Sequence, residues 1–212
     1  MLELFWNNPQ SNIPRSIAVG TFDGVHLGHQ ALLQAALDNC PEGGCSSVFT
    51  FDLPPEQFFR QNYRMLCSFE HKARLIRDFG IDEVVWTPFS YEVAQVEPEE
   101  FINILAHKLH AVHVVCGFNF RFGHKGRGTV DMLRAKGAEL GFSVTVVPPV
   151  EHGQVISSTR IRGLIAEGAV DEAAVLLGRF PSYQGTVVAG EGRGRQLGFP
   201  TANLDTDPRI VL

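Results

Sequence analysis

Ser16-Ile17-Ala18-Val19-Gly20-Thr21-Phe22-Asp23-Gly24-Val25-His26-Leu27-Gly28-His29 begins in an apolar run, turns through Phe22-Asp23-Gly24, and leads into Leu32, Leu33, Ala36 and Leu37 at helical spacing. The pattern predicts a buried strand, a tight turn and a helix. The first turn of a helix has N–H groups without intrahelical acceptors and carries the positive end of the dipole, so anions settle there. His26 and His29 fall at that mouth on adjacent turns. Gly28 between them removes the side chain that would keep a nucleotide off the backbone. Phosphate binding is the chemistry this H-x-G-H pattern predicts.

Outward from that unit, strands and helices alternate. Strands are expected at 47–51, 83–86, 112–116 and 143–147, and helices near 69–79, 99–107 (opened by Pro98) and 129–140. Two more helical segments, about 158–167 and 170–177, close the unit. Short, nearly all-apolar strands separated by helices predict an α/β fold with a doubly wound parallel sheet covered on both faces. Its ligand site belongs at the carboxyl ends of the strands. From Pro181 the chain changes to period-two alternation and a glycine-arginine loop, with no returning helical period. The expected organisation is therefore a first domain over residues 1–180 and a β segment over 181–212.

At 212 residues and 44% hydrophobic, the chain has enough apolar surface for one substantial core and part of a second unit. The net charge of −5 argues against a protein that grips a nucleic-acid backbone. No apolar run of membrane-spanning length and no signal segment is legible, so a cytoplasmic enzyme without a membrane or nucleic-acid partner is expected. Cys40, Cys45, Cys67 and Cys116 form no C-x-x-C pair and are read as free thiols. His107, His110 and His113 have i, i+3 spacing, but successive steps drift around the helix and no acidic neighbour completes a metal site.

Three further motifs follow in order: Gly117-Phe118-Asn119-Phe120-Arg121-Phe122-Gly123, then Ile156-Ser157-Ser158-Thr159-Arg160-Ile161-Arg162, then Gly194-Arg195-Gln196-Leu197-Gly198-Phe199-Pro200-Thr201-Ala202-Asn203-Leu204. With the G-x-F-D-G-x-H-x-G-H run they resemble the bacterial bifunctional riboflavin kinase/FMN adenylyltransferases, the FAD synthetases of the nucleotidyltransferase superfamily. The resemblance implies a Rossmann-like nucleotidyltransferase domain followed by the start of a small β-barrel kinase domain. It implies ATP and FMN as substrates, FAD as product, Mg²⁺ as cofactor and riboflavin as substrate of the kinase part. His26, His29 and Arg162 would be catalytic, and Gly20, Thr21, Phe22, Asp23, Gly28, Ser157, Ser158 and Thr159 would hold ATP. Asn119, Phe118, Phe120 and Phe51 would meet the flavin, and Thr201 and Asn203 would hold Mg²⁺ with ATP in the kinase segment.

The residues suit that chemistry. A phosphate monoester is already an anion near neutral pH, so adenylyl transfer to it needs no base, only alignment and neutralisation of charge. Imidazole donors at one helix mouth, and hydroxyls, backbone N–H groups and Arg162 at another, supply both. The basic loop His124-Lys125-Gly126-Arg127-Gly128 is a candidate cover for phosphates. Where the resembled family usually reads T-F-E/D-P-H-P, this chain has Thr50-Phe51-Asp52-Leu53-Pro54-Pro55, so a proline without donor replaces a histidine. Transfer to another phosphate acceptor, phosphopantetheine or nicotinamide mononucleotide, is the nearest alternative, and a non-catalytic nucleotide- or flavin-binding protein is a second. With the sequence read to Leu212, a closed barrel lacks strands and the kinase lacks the glutamate base that the family draws from a later strand, so kinase activity is not expected of this chain.

Overall fold

The computed structural model describes residues 2–5, 12–60, 62–190, 193–196, 198–199 and 201–212. Strands β1 (Leu2–Phe5), β2 (Arg15–Val19), β3 (Cys45–Phe51), β4 (Glu83–Thr87), β5 (Ala111–Gly117) and β6 (Ser143–Val147) pair in parallel in the order β1-β4-β3-β2-β5-β6. Each side chain of β2 is buried, and Ile17 and Val19 point to one face while Ala18 points to the other, the period-two alternation of a strand covered on both sides. The Ile17 face packs on Leu105, Leu109 and Leu133, and the Ala18 face on Leu33, Ala36 and Ile76.

The helices are α1 (Leu27–Asp38), α2 (Pro55–Phe59), α3 (Phe69–Phe79), α4 (Tyr91–Ala94), α5 (Pro98–Asn103), α6 (Val130–Leu140), α7 (Ser158–Ala166) and α8 (Val170–Leu177). Helix α5 runs on into a π-helical turn, Ile104–Lys108. After β2 the chain adds β3 and β4 on one side, then crosses to place β5 on the other. The boundary between β2 and β5 is therefore a switch point, where the loops leaving two neighbouring strands diverge and open a crevice. At the opposite end of β2, the fully buried Arg15 pairs with Glu83 of β4 at 2.8 Å and donates to the Ile13 and Leu109 carbonyls, tying β2 to β4 and to the turn that leads into β5.

A small hairpin, β7 (Glu151–His152) and β8 (Gln154–Val155), precedes α7. Past α8 come β9 (Gly185–Val188), a four-residue helical turn α9 (Arg193–Gln196) and β10 (Asn203–Thr206), with β9 and β10 antiparallel. That turn corrects the expectation of no helix after Pro181; four residues are too short to show a period. The segment then returns to the first unit. Met65 N–H donates to the Arg209 carbonyl at 2.7 Å, Val211 N–H donates to the Met65 carbonyl at 2.9 Å, and buried Val211 joins Leu66, Ile156 and Ile161 in one cluster.

Candidate active site

A cleft of about 910 Å³ lies over the carboxyl ends of β2, β3, β5 and β6. Its floor includes Gly20, Thr21, His26 and His29; one wall carries Phe118, Asn119 and Phe120, and the start of α7 faces it with Ser157, Ser158 and Thr159. Motifs more than a hundred residues apart in sequence thus share one edge of the sheet.

The turn between β2 and α1 is strained. Phe22, Gly24 and Val25 have φ of 53°, 80° and 42°. For a bulky or β-branched side chain this is unfavourable by about 1–3 kcal/mol per residue, tolerated only where surroundings hold it. Gly24 needs its lack of a side chain twice over, since a Cβ there would also lie 2.6 Å from Leu66. The buried Asp23 carboxylate anchors the turn, accepting from Leu66 N–H at 2.8 Å and from Arg162 at 2.7 Å. Burial pushes that carboxyl up, against the opposing pull of the Leu66 N–H and the Arg162 charge.

Phe22 and Asp23, expected at the nucleotide, are instead support. Phe22 is wholly buried and its ring tilts against His29 at 5.2 Å, and Asp23 faces inward to hold Arg162. Both lie in the turn's inner side, so neither presents a surface to the cleft.

His26 is the N-cap of α1: its Nδ1 accepts from His29 N–H at 3.3 Å. That bond leaves the ring proton on Nε2. The two imidazoles stack at 3.7 Å with an interplanar angle of 16°. Gly28 has a further role here, because a Cβ would come within 3.1 Å of the His26 ring. Burial lowers the His26 pKa to about 4, with Arg179 and Arg162 adding to the effect. Burial and then His26 itself hold His29 well below its usual value. Both rings are neutral donors at physiological pH.

At α7 the hydroxyls are already engaged. Ser157 caps the helix by accepting from Arg160 N–H, Ser158 donates to the Asp23 carbonyl at 3.0 Å, and Thr159 accepts from Arg162 at 3.0 Å. The Ser158 and Thr159 N–H groups in the first turn have no intrahelical acceptor and stand at the cleft. Arg162 is fixed by Asp23, Thr159 and the Tyr63 ring, 4.5 Å from its guanidinium carbon.

Among the expected flavin residues, Phe118 is about half exposed (49%), Asn119 is exposed and Phe120 half-buried, all at the cleft. Phe122 is core, packed against Phe120 and Phe101. Phe51 reaches the cleft from the end of β3, edge-on to Phe89 at 5.1 Å, and Phe89 in turn meets the exposed Phe58 and Phe59 of α2. This aromatic wall was not legible in sequence because α2 is only five residues long. Pro54, in the position of the missing histidine, is buried at the start of that helix. The basic loop is pinned rather than loose: His124 Nδ1 bonds the Ala94 carbonyl and Arg127 pairs with Glu97, leaving exposed Lys125 at the cleft.

Two cations that sequence reasoning missed sit behind the floor. Lys72 on α3 is buried and donates to the Phe51 carbonyl at 2.7 Å, the Thr21 carbonyl at 3.0 Å and Thr50 Oγ1 at 3.2 Å. Burial brings its pKa down to about 8. Arg179, just past α8, donates to the carbonyls of Gly24, Val25 and Leu177. Thr201 and Asn203 lie away from the cleft on the exposed hairpin. His113 bonds Ser143 and Thr145 across β5 and β6, and among the described residues no group of three or more His, Cys, Asp or Glu is placed to hold a metal.

A family model described as FAD synthetase matches residues 8–160, and one described as riboflavin kinase matches 177–211. The chain belongs to the FAD synthetase family. The bifunctional riboflavin kinase/FMN adenylyltransferase of Listeria monocytogenes is 38% identical over 92% of this chain and 63% of its own length. That of Buchnera aphidicola (from Acyrthosiphon pisum) is 32% identical over 97% of this chain and 67% of its own. The chain thus spans about two thirds of the length of these FAD synthetase relatives. A crystal structure described as a macrolide-efflux protein from Streptococcus pneumoniae superposes with a TM-score of 0.84 at 32% identity, covering 99% of this chain and 71% of that one. Among the described residues no helix is long and apolar enough to cross a membrane.

Proposed function

We propose that this chain transfers the adenylyl group of ATP to the phosphate of FMN, giving FAD and pyrophosphate. The stacked, neutral His26–His29 pair at the mouth of α1, facing the first turn of α7 across one cleft, carries the reading. Nε2–H of His26, together with the His29 ring, donates to oxygens of the α-phosphoryl group as charge develops there. The α7 N–H groups and the Arg162 guanidinium take the β- and γ-phosphates, which become the leaving group. The FMN phosphate attacks as an anion and needs no base. Phe51, Phe118 and Phe120 offer apolar faces to the isoalloxazine and Asn119 a polar edge contact.

Mg²⁺ fits this site as an ion brought by ATP. Asp23, behind the histidine pair, is committed to Leu66 and Arg162, and the carboxylate that lines the cleft is Glu56 of α2, so the nucleotide's phosphates would be the main holders of the metal, which would offset their charge. In the second unit, Thr201 Oγ1 and Asn203 Oδ1 are hard oxygen donors suited to Mg²⁺ with ATP phosphates, as the riboflavin kinase match over that segment supports. We assign adenylyl transfer to residues 1–180 and a riboflavin kinase segment to 181–212, and we place the protein in the cytoplasm with its nucleotide substrates. Pyrophosphate release from ATP and Mg²⁺ in the presence of FMN, nicotinamide mononucleotide or phosphopantetheine tests the assignment. FAD formation with FMN alone is expected; turnover with either other acceptor at a comparable rate overturns FMN as the substrate.

A further inference from the structure

We propose that Arg179 is a positioning residue for adenylyl transfer: by bridging the Gly24, Val25 and Leu177 carbonyls it holds the turn that sets the His26–His29 pair. The inference rests on the function proposed above. Three observations meet at this side chain. Val25, immediately before His26, is a β-branched residue held at φ 42°, a conformation the local sequence does not favour. Its carbonyl accepts from both Arg179 (3.1 Å) and Gln30 Nε2 (3.0 Å), and the Leu177 carbonyl accepts from the same two groups at 3.1 and 2.9 Å. The four residues form a closed clasp between the end of α8 and the first turn of α1. Gly24, one residue earlier, is held through the second guanidinium nitrogen.

The clasp has a direct geometric consequence. With Val25 fixed, the backbone enters α1 so that His26, with φ −71° and ψ 172°, caps the helix with its own ring and stacks on His29. If Val25 relaxed to a negative φ, the peptide plane before His26 would turn and the ring would leave the cap. Arg179 also lacks an acid: its three acceptors are backbone carbonyls, and its buried Nε has no partner among the described residues. Its charge is thus not neutralised by any of its bonds, beside a cleft proposed to bind a polyphosphate. The three carbonyls are met from two separate guanidinium nitrogens, a spread that the single ammonium nitrogen of lysine does not reproduce, so lysine is not an equivalent.

The test uses the full chain with Arg179→Ala, Arg179→Lys and Gln30→Leu. Nitrogen-15 NMR of the histidine rings reads the clasp without turnover: in the wild type, the His26 ring carries its proton on Nε2 with Nδ1 accepting. Each variant with native circular dichroism and a cooperative melt is expected to lose that signature. FAD formation should fall about 10- to 100-fold in kcat for Arg179→Ala, with a smaller change in KM for ATP. Arg179→Lys should recover part of the rate, and added guanidinium ion part of the rate of Arg179→Ala. Unchanged His26 signals and kcat in a folded Arg179→Ala overturn the inference. If Arg179→Ala does not fold, Gln30→Leu decides by the same two readouts. If the wild type makes no FAD, the proposed function fails while the ring signals still test the clasp.

Discussion

His26 and His29 show how far a residue pattern can be read and where it stops. Their place at a helix mouth follows from H-x-G-H after an apolar run, but their stacking and the capping bond do not, since they come with a positive φ at Val25 that its residue type does not announce. Phe22 and Asp23 sit in the same motif and were expected to touch ATP; a sequence motif records which residues are needed but not which way they face. Arg179 and Lys72 were invisible, since each meets the site from an element remote in sequence. Replacing His29 with alanine should lower kcat about 10²-fold with a smaller effect on the KM for ATP, as loss of a transition-state donor does; steady-state kinetics of pyrophosphate release checks it. Replacing Asn119 with alanine should weaken FMN binding and spare ATP binding, measured by calorimetry for each ligand. The histidine pair also links folding to pH. Unfolded, both rings bind protons below about 6.5, whereas folded His26 resists until about 4. The stability is therefore complete above about 6.5 and is lost as pH falls toward 4, because the unfolded state binds more protons across that window. His26→Asn keeps a capping side chain without the titration. Its melting temperature should fall less than that of the wild type between pH 7 and pH 5.

At the scale of elements, the long pieces announce themselves. The expected strand at 143–147 and helix at 69–79 match β6 and α3 in full, and Ser68 caps the latter as a helix-starting serine should. The short elements β1, β7, β8, α2 and α4 escaped; α2 and α4 hold little more than one helical turn, and β7 and β8 only one strand period each, too little for a repeat to show. Strand order also escaped, since the switch between β2 and β5 is written in no local segment. Helix α1 offers a test in which stability and activity separate. Gly28→Ala adds a methyl 3.1 Å from the His26 ring, which must shift by a few tenths of an ångström. Alanine is the better helix former by about 1 kcal/mol. Differential scanning calorimetry should find the variant at least as stable as the wild type, while kcat falls about tenfold.

At the scale of the molecule, the segment matched by the riboflavin kinase model does not stand apart from the first unit. Its residues 209–211 pair with Met65, and Val211 fills a space against Leu66 and Ile156 beneath the α7 motif. Removing two buried methyl groups by Val211→Ala should cost about 2 kcal/mol, read as a lower denaturant midpoint for the transition that includes the sheet. Leu66 N–H is a partner of Asp23, so the packed strand end supports the same carboxylate that holds Arg162. A composition shift at Pro181 marks where the chain changes character, yet the apolar interior of the first unit is finished by residues some thirty positions later. Grafting a kinase unit from one relative onto the adenylyl half of another at that proline would therefore exchange a piece of the recipient's core along with the donor's catalytic part. A functional chimera needs 207–211 to be inherited from the same parent as Met65 and Leu66.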